Sequence, residues 1–152
     1  MRVAAALLVP VVVTLLLLPP APAAAALPPE ISSALAESEY VYIATTRKDG
    51  SLGRPAEIWF FFHEGSVYVS SPKTTWRVRR IQDGRPAAKI SVGKPEGPSF
   101  SAVGEIVADA SMNEPLMNAF AKKYPERWST WAEKFRQQLA DGSRVVVRYA
   151  PK

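Results

Sequence analysis

The sequence predicts a small, mainly β domain of the α+β class: an antiparallel barrel of six strands with additional helices. Three observations lead there. Short β-branched and aromatic runs recur at even spacing, separated by turn residues. After Ala110 the apolar period lengthens from two to roughly three and a half, the helical value. The chain has 152 residues, 47% of them hydrophobic, enough for one domain with a real core and not for two.

Each element follows from its own residues. Pro28–Glu39 opens with Pro and Glu and places Ile31, Ala34 and Leu35 at i, i+3 and i+4, a short amphipathic helix. Tyr40–Arg47 is β-branched and aromatic, a first strand. Asp49-Gly50 centres a turn. Arg54–Phe62 is a second strand, with Pro55 tolerable only near its start or on an edge. Alternation puts Trp59 and Phe61 on one face and Phe60 and Phe62 on the other. After a tight turn at His63-Glu64-Gly65, Ser66–Ser71 is a third strand. Thr74 or Thr75 caps a helix with the body WRVRRIQD, which Asp83-Gly84 ends. Trp76, Val78 and Ile81 are its inward candidates, and Arg77 and Arg80 share a face. Arg85–Gly93 and Ser99–Ala110 are strands four and five, and Gly104 marks a bulge or bend in the latter. Ser111 and Glu114 form a capping-box pattern ahead of an apolar stripe of Leu116, Phe120, Ala121 and Tyr124. Pro125 breaks that helix, and Trp128, Trp131, Phe135 and Leu139 carry the next one against the barrel. Arg144–Tyr149 is the closing strand.

Composition removes several function classes. The chain has no cysteine, which excludes a disulfide framework, thiolate metal sites and a cysteine nucleophile. One histidine, His63, rules out a multi-histidine metal site and argues against a hydrolase triad. No acid–base pair or nucleophile stands out, so no catalytic residue is named.

The N-terminus reads as a secretory signal peptide over residues 1–26. Arg2 precedes an apolar run broken by Pro10, followed by the small residues of an A-x-A cleavage site. The run falls short of the roughly 18–20 residues that span a bilayer, so the expectation is cleavage rather than a stable membrane anchor. The remaining domain, residues 27–152, is then exported, to the periplasm or beyond. Losing Arg2 takes the net charge from +5 to +4. Export argues against a nucleic-acid partner for this modestly basic domain.

The densest chemistry lies between Ser70 and Pro86, where Lys73, Arg77, Arg79, Arg80 and Arg85 follow two serines. Charge runs usually solvate a helix face. Here hydroxyl donors, a guanidinium fork and the start of a helix come together, and these are the groups that hold a phosphate.

The stretch YVYIATTRKDGSLGRPAEIWFFFHEGSVYVSSPKTTWRVRRIQDGRPAAKISV resembles the pyridoxamine 5'-phosphate oxidase-like family of split β-barrel flavin proteins. The likeness runs from Val41 to about Tyr149. It is carried by the A-T-x-x-x-D-G-x-x-x-x-P opening, IWF before a turn, VYVSS before a basic helix, GEI on the fifth strand and KYPERW later. The resemblance implies a homodimer with a flavin cleft at its interface. It implies a flavin mononucleotide (FMN) phosphate held beside the strand Glu57-Ile58-Trp59, by Ser70 and Ser71, and by Arg77 with Lys73 and Arg80 nearby. Trp76 is a second-choice candidate to flank the flavin ring, core packing being the first expectation for it. Two departures stand out. The phosphate-binding arginine that vitamin-converting members carry on the second strand has no match, Glu57 lying in that region. Their C-terminal arginine- and histidine-bearing motif is missing from RVVVRYAPK. The resemblance therefore points to general flavin or deazaflavin reductases with a small-molecule redox substrate. The alternative is an exported, non-catalytic module binding haem or another anionic ligand.

Overall fold

The computed structural model describes residues 25–152. The expected signal peptide falls almost wholly outside the described residues.

Among the described residues seven strands form one antiparallel sheet, where six were expected. The difference lies at one residue. The expected second strand divides at Phe60 into β2 (Ala56–Trp59) and β3 (Phe61–His63). The sheet order is β2-β1-β5-β6-β7-β4-β3, with β1 at Tyr40–Thr45, β4 at Ser66–Pro72, β5 at Ala87–Val92, β6 at Ser99–Ile106 and β7 at Arg144–Pro151. The two edge strands are thus consecutive in the chain, and the sheet curls until its opposite edges meet at Phe60. This is a split barrel. β3 pairs with β4 only over Ser66–Tyr68, so from Val69 onward the β4 edge that faces β2 carries no strand partner.

Phe60 is fully buried, and its backbone belongs to neither ladder. A side chain from far away satisfies it. The Phe60 N–H donates to Tyr124 Oη at 3.0 Å, and that hydroxyl donates onward to the Glu39 carbonyl at 2.8 Å. The expected alternation survives the break. Phe60 and Phe62 join the barrel interior with Val41, Val67, Val69, Ile90, Val147 and Tyr149. Trp59 and Phe61 pack outside, against a second cluster of Tyr68, Leu116, Phe120, Tyr124, Phe135 and Val146. That cluster lies under two helices, α3 (Asn113–Lys123) and α4 (Pro125–Ala140), which Pro125 separates as expected. Trp59 stacks on Tyr124 at 4.4 Å between ring centroids. The first helix, α1 (Pro29–Glu37), lays Ile31 and Leu35 on the barrel core, and α2 (Trp76–Gln82) adds Val78.

Several local expectations change. The capping box does not form: Ser111 N–H and Oγ–H both turn to Asp109, and the α3 N-cap is Met112 without a side-chain bond. Gly104 is no bulge, since β6 and β7 pair in unbroken register through it. It is a site of close approach. A Cβ there would stand 2.8 Å from Ile81 Cδ1 and 2.8 Å from Tyr149 Cε1. Trp76 does not face inward and is 67% exposed, while Val78 takes the buried position. Trp131 is likewise 42% exposed, leaving Trp128 and Phe135 to pack α4. The turn residues behave as read: Gly50 and Gly84 adopt φ of 85° and 77°.

Candidate functional site: a cleft in the split of the barrel

The cleft opens where β2 leaves the unpaired end of β4. Ile58 and Trp59 border one side, and Ser70, Ser71 and Pro72 the other; Thr75, Arg77, Phe120, Phe135 and Arg144 complete it around a volume of ≈ 230 Å³. Neighbouring residues on a strand point to opposite faces. Ser71 therefore faces the barrel with its partner Val145, and Ser70 faces the helices with Val146. Both line the cleft because it lies in the gap between strands and opens to either face.

Two guanidiniums flank this serine pair. Arg77 Nη1 donates to Ser71 Oγ at 3.3 Å, a long bond. Burial lowers the Arg77 pKa, and the nearby Tyr149 partly opposes that shift. Arg144 lies on the other face, with Nε to Gln138 Oε1 at 2.9 Å, Nη1 to the Ser70 carbonyl at 3.3 Å, and its guanidinium 4.1 Å over the Phe135 ring. Burial lowers its pKa as well. Among the described residues neither arginine has a carboxylate within 4.0 Å, although Arg85, Arg127, Arg136 and Arg148 each do. Between them, Ser70 Oγ is buried and has no hydrogen-bond partner among the described residues. Buried charge normally sits against a counter-charge, and a buried hydroxyl against an acceptor or donor. Among the described residues the cleft gathers two arginines and three hydroxyl side chains, those of Ser70, Ser71 and Thr75, and no acid, a donor set that can pair with an anion.

A second, larger groove of ≈ 650 Å³ adjoins it across Thr75 and Arg77. Arg80 is fixed there by Thr45, with Nη1 2.7 Å from Oγ1 and 2.9 Å from the carbonyl. Trp76 borders the same groove, its ring 5.6 Å from the Arg79 guanidinium and 5.7 Å from that of Arg80.

The nine expected site residues divide accordingly. Ile58, Trp59, Ser70, Ser71 and Arg77 meet in the cleft. Trp76 and Arg80 join Arg77 in the neighbouring groove. Glu57 is elsewhere, taken by the Tyr42 hydroxyl in a separate recess with Arg54 and Glu96. Lys73 is exposed beside the α4–β7 turn, its N–H donating to the Ser143 carbonyl at 2.9 Å. Arg77 and Arg80, expected on one helix face, reach different partners 26 residues apart in the chain, Ser71 and Thr45. Sequence reasoning missed Arg144, which pairing with Pro72 at the strand end brings in from more than 70 residues away. Thr75 stands at the α2 N-cap as expected, but its hydroxyl donates to the Pro72 carbonyl at 2.9 Å instead of accepting a cap bond, and its place in the cleft was not anticipated. Among the described residues no group of histidine and carboxylate side chains is placed to hold a metal ion.

No protein-family model matches the chain, and no curated protein matches it by sequence. Solved structures do. A Listeria innocua protein provisionally named a pyridoxamine 5'-phosphate oxidase is similar at TM-score 0.57 and 14% identity, over 81% of this chain and 91% of that one. The haem storage protein HutZ from Vibrio cholerae is similar at TM-score 0.54 and 17% identity, over 84% and 92%. A structure named F420 reductase is similar at TM-score 0.54 and 20% identity, over 83% and 96%. The chain has the split-barrel fold that these pyridoxamine 5'-phosphate oxidase-like, haem-storing and deazaflavin-reducing proteins share.

Proposed function

We propose that the chain is an FMN-binding oxidoreductase acting on a small molecule, with the cofactor phosphate seated in the gap between β2 and β4. One observation carries this reading: among the described residues the half-buried guanidiniums of Arg77 and Arg144 lack a carboxylate and flank a buried Ser70 hydroxyl that lacks a hydrogen bond. A phosphate would pair with both cations and accept from Ser70 and Ser71. The flavin itself would supply the hydride or electron transfer. The residues of this chain bind and orient: Arg77 and Arg144 neutralise the phosphate, Trp59 and Phe135 exclude water from it, and Trp76 offers an exposed ring beside the adjoining groove. A deazaflavin phosphate would use the same groups. The site contains no histidine, so the haem alternative rests on the likeness to HutZ alone.

Dimerisation and export are part of the proposal. Trp76 and Trp131 are exposed large apolar side chains near the cleft, of the kind a second copy covers. Light scattering of the purified protein tests the dimer, and the N-terminal mass of protein recovered from the exporting cell tests cleavage near residue 26. The cofactor reading is tested by titrating the protein with FMN, deazaflavin F420 and haemin, following absorbance and tryptophan quenching. Saturable uptake of FMN or F420 supports it. Uptake of neither overturns it, and uptake of haemin alone replaces it with the binding-module reading.

A further inference from the structure

The groove beyond Thr75 holds charge that the phosphate site does not use. Besides Arg77, which it shares with the cleft, its cations are Arg47, Arg54 and Arg80, and among the described residues no aspartate or glutamate lines it. Arg47 reaches only Ser51 Oγ, at 3.3 Å, and Arg54 makes no side-chain hydrogen bond or ion pair among the described residues. Arg80 is held in place. Thr45 receives it through two bonds, and Gly53 makes room for it, since a Cβ at Gly53 would stand 2.7 Å from Arg80 Nη1. Between the arginines the walls are apolar: Ile43, Ala56 and the indole of Trp76. Inorganic phosphate or a small polyhydroxylated acid would leave these walls wet. An acid with an apolar body would pair its carboxylate with the guanidinium forks and cover the apolar walls.

We propose that this groove is a subsite for an apolar organic acid, the carboxylate meeting Arg47, Arg54 and Arg80 and the body lying against Ala56 and Trp76. The acid subsite stands on the groove alone. Its identification as the place of the redox substrate rests on the cofactor reading, because the groove adjoins the phosphate cleft through Arg77.

The test is calorimetric titration with 2-naphthoate and with its neutral counterpart 2-naphthylmethanol. Both are measured on the purified protein, on the Arg47→Ala/Arg54→Ala double variant and on Gly53→Ala, with thermal unfolding to establish that each is folded. FMN is titrated in parallel. The acid is expected to bind at least about tenfold more tightly than the alcohol, the worth of a charge-assisted bond in a partly dried groove. The double variant is expected to remove that preference while keeping FMN affinity. Gly53→Ala, which displaces Arg80, is expected to weaken the acid alone. Equal binding of acid and alcohol, or a double variant that binds the acid like the parent, overturns the proposal. Arginine-dependent binding of naphthoate by a protein that takes up no FMN keeps the acid subsite and removes the cofactor reading.

Discussion

Tyr124 reaches across 64 residues of sequence to accept the backbone N–H of Phe60 at 3.0 Å, at the residue where one long strand becomes two sheet edges. The barrel can split there because this hydroxyl satisfies a buried donor that neither ladder serves. Trp59, stacked on the same ring, is thereby held at the mouth of the cleft.

Replacing Tyr124 by Phe keeps the stacking and removes the bond. The buried Phe60 N–H then loses its partner, which costs roughly 1–3 kcal/mol, while the carbonyl of the exposed Glu39 can turn to water. Denaturant unfolding followed by tryptophan fluorescence reads the loss, and an unchanged midpoint would show that water replaces the hydroxyl.

Lys123 adds a pH dependence to the same seam. Its ammonium lies 3.3 Å from the Phe60 ring centroid and 3.5 Å from the Phe60 carbonyl. Burial brings its pKa down to about 8, against a smaller opposing pull from Glu39. Between about pH 8 and the ordinary lysine value near 10.5, the unfolded chain binds the proton that the folded chain has released, so stability rises with pH in that window. Above pH ~10 the trend reverses. Burial raises the pKa of Tyr124 and moves that of Tyr149 up to about 12, so both stay protonated in the fold after the unfolded chain has begun to ionise. The melting temperature is expected to climb from pH 8 to 10 and then fall. In Lys123→Met the climb is expected to disappear.

Gly104→Ala tests the close approach of α2 to the barrel. The new Cβ meets Ile81 Cδ1, which can move, and the edge of the fully buried Tyr149 ring, which cannot. Overpacking of this kind costs about 1–3 kcal/mol. Shortening Ile81 to Val in the same chain is expected to recover only part of the loss.

Much of this fold was legible because the strands carry local signals: alternation, β-branched residues and turn glycines. The interruption at Phe60 was not, since WFFF reads as continuous strand and the hydroxyl that permits a break there comes from Tyr124. Trp76 was misread because a large aromatic at a helix start ordinarily packs inward, whereas here Val78 fills the core and the indole borders a groove. At the site, Ser70, Ser71 and Arg77 could be read together because they are close in sequence. Arg144 could not, because only the long-range pairing of β4 with β7 brings it beside Ser70. Glu57 and Lys73 had the right chain position and the wrong facing, which depends on side-chain partners and not on spacing.

Ser70→Ala separates stability from binding. Its hydroxyl is buried and unpaired, so removing it is expected to leave unfolding unchanged or slightly to favour the fold. FMN loses one donor, worth about 0.5–1.5 kcal/mol. A variant that unfolds more easily would mean that the hydroxyl serves the fold, and the cleft would lose one of its two free donors.

The most direct measurement compares FMN with riboflavin, the same ring without the phosphate, on the parent protein and on Arg77→Ala. If Arg77 grips the phosphate, the parent prefers FMN, and the variant loses about 1.5–3 kcal/mol of FMN affinity while its weak riboflavin binding stays the same. Equal affinity of the parent for the two ligands, or an Arg77→Ala variant that holds FMN as tightly as the parent, would contradict the account.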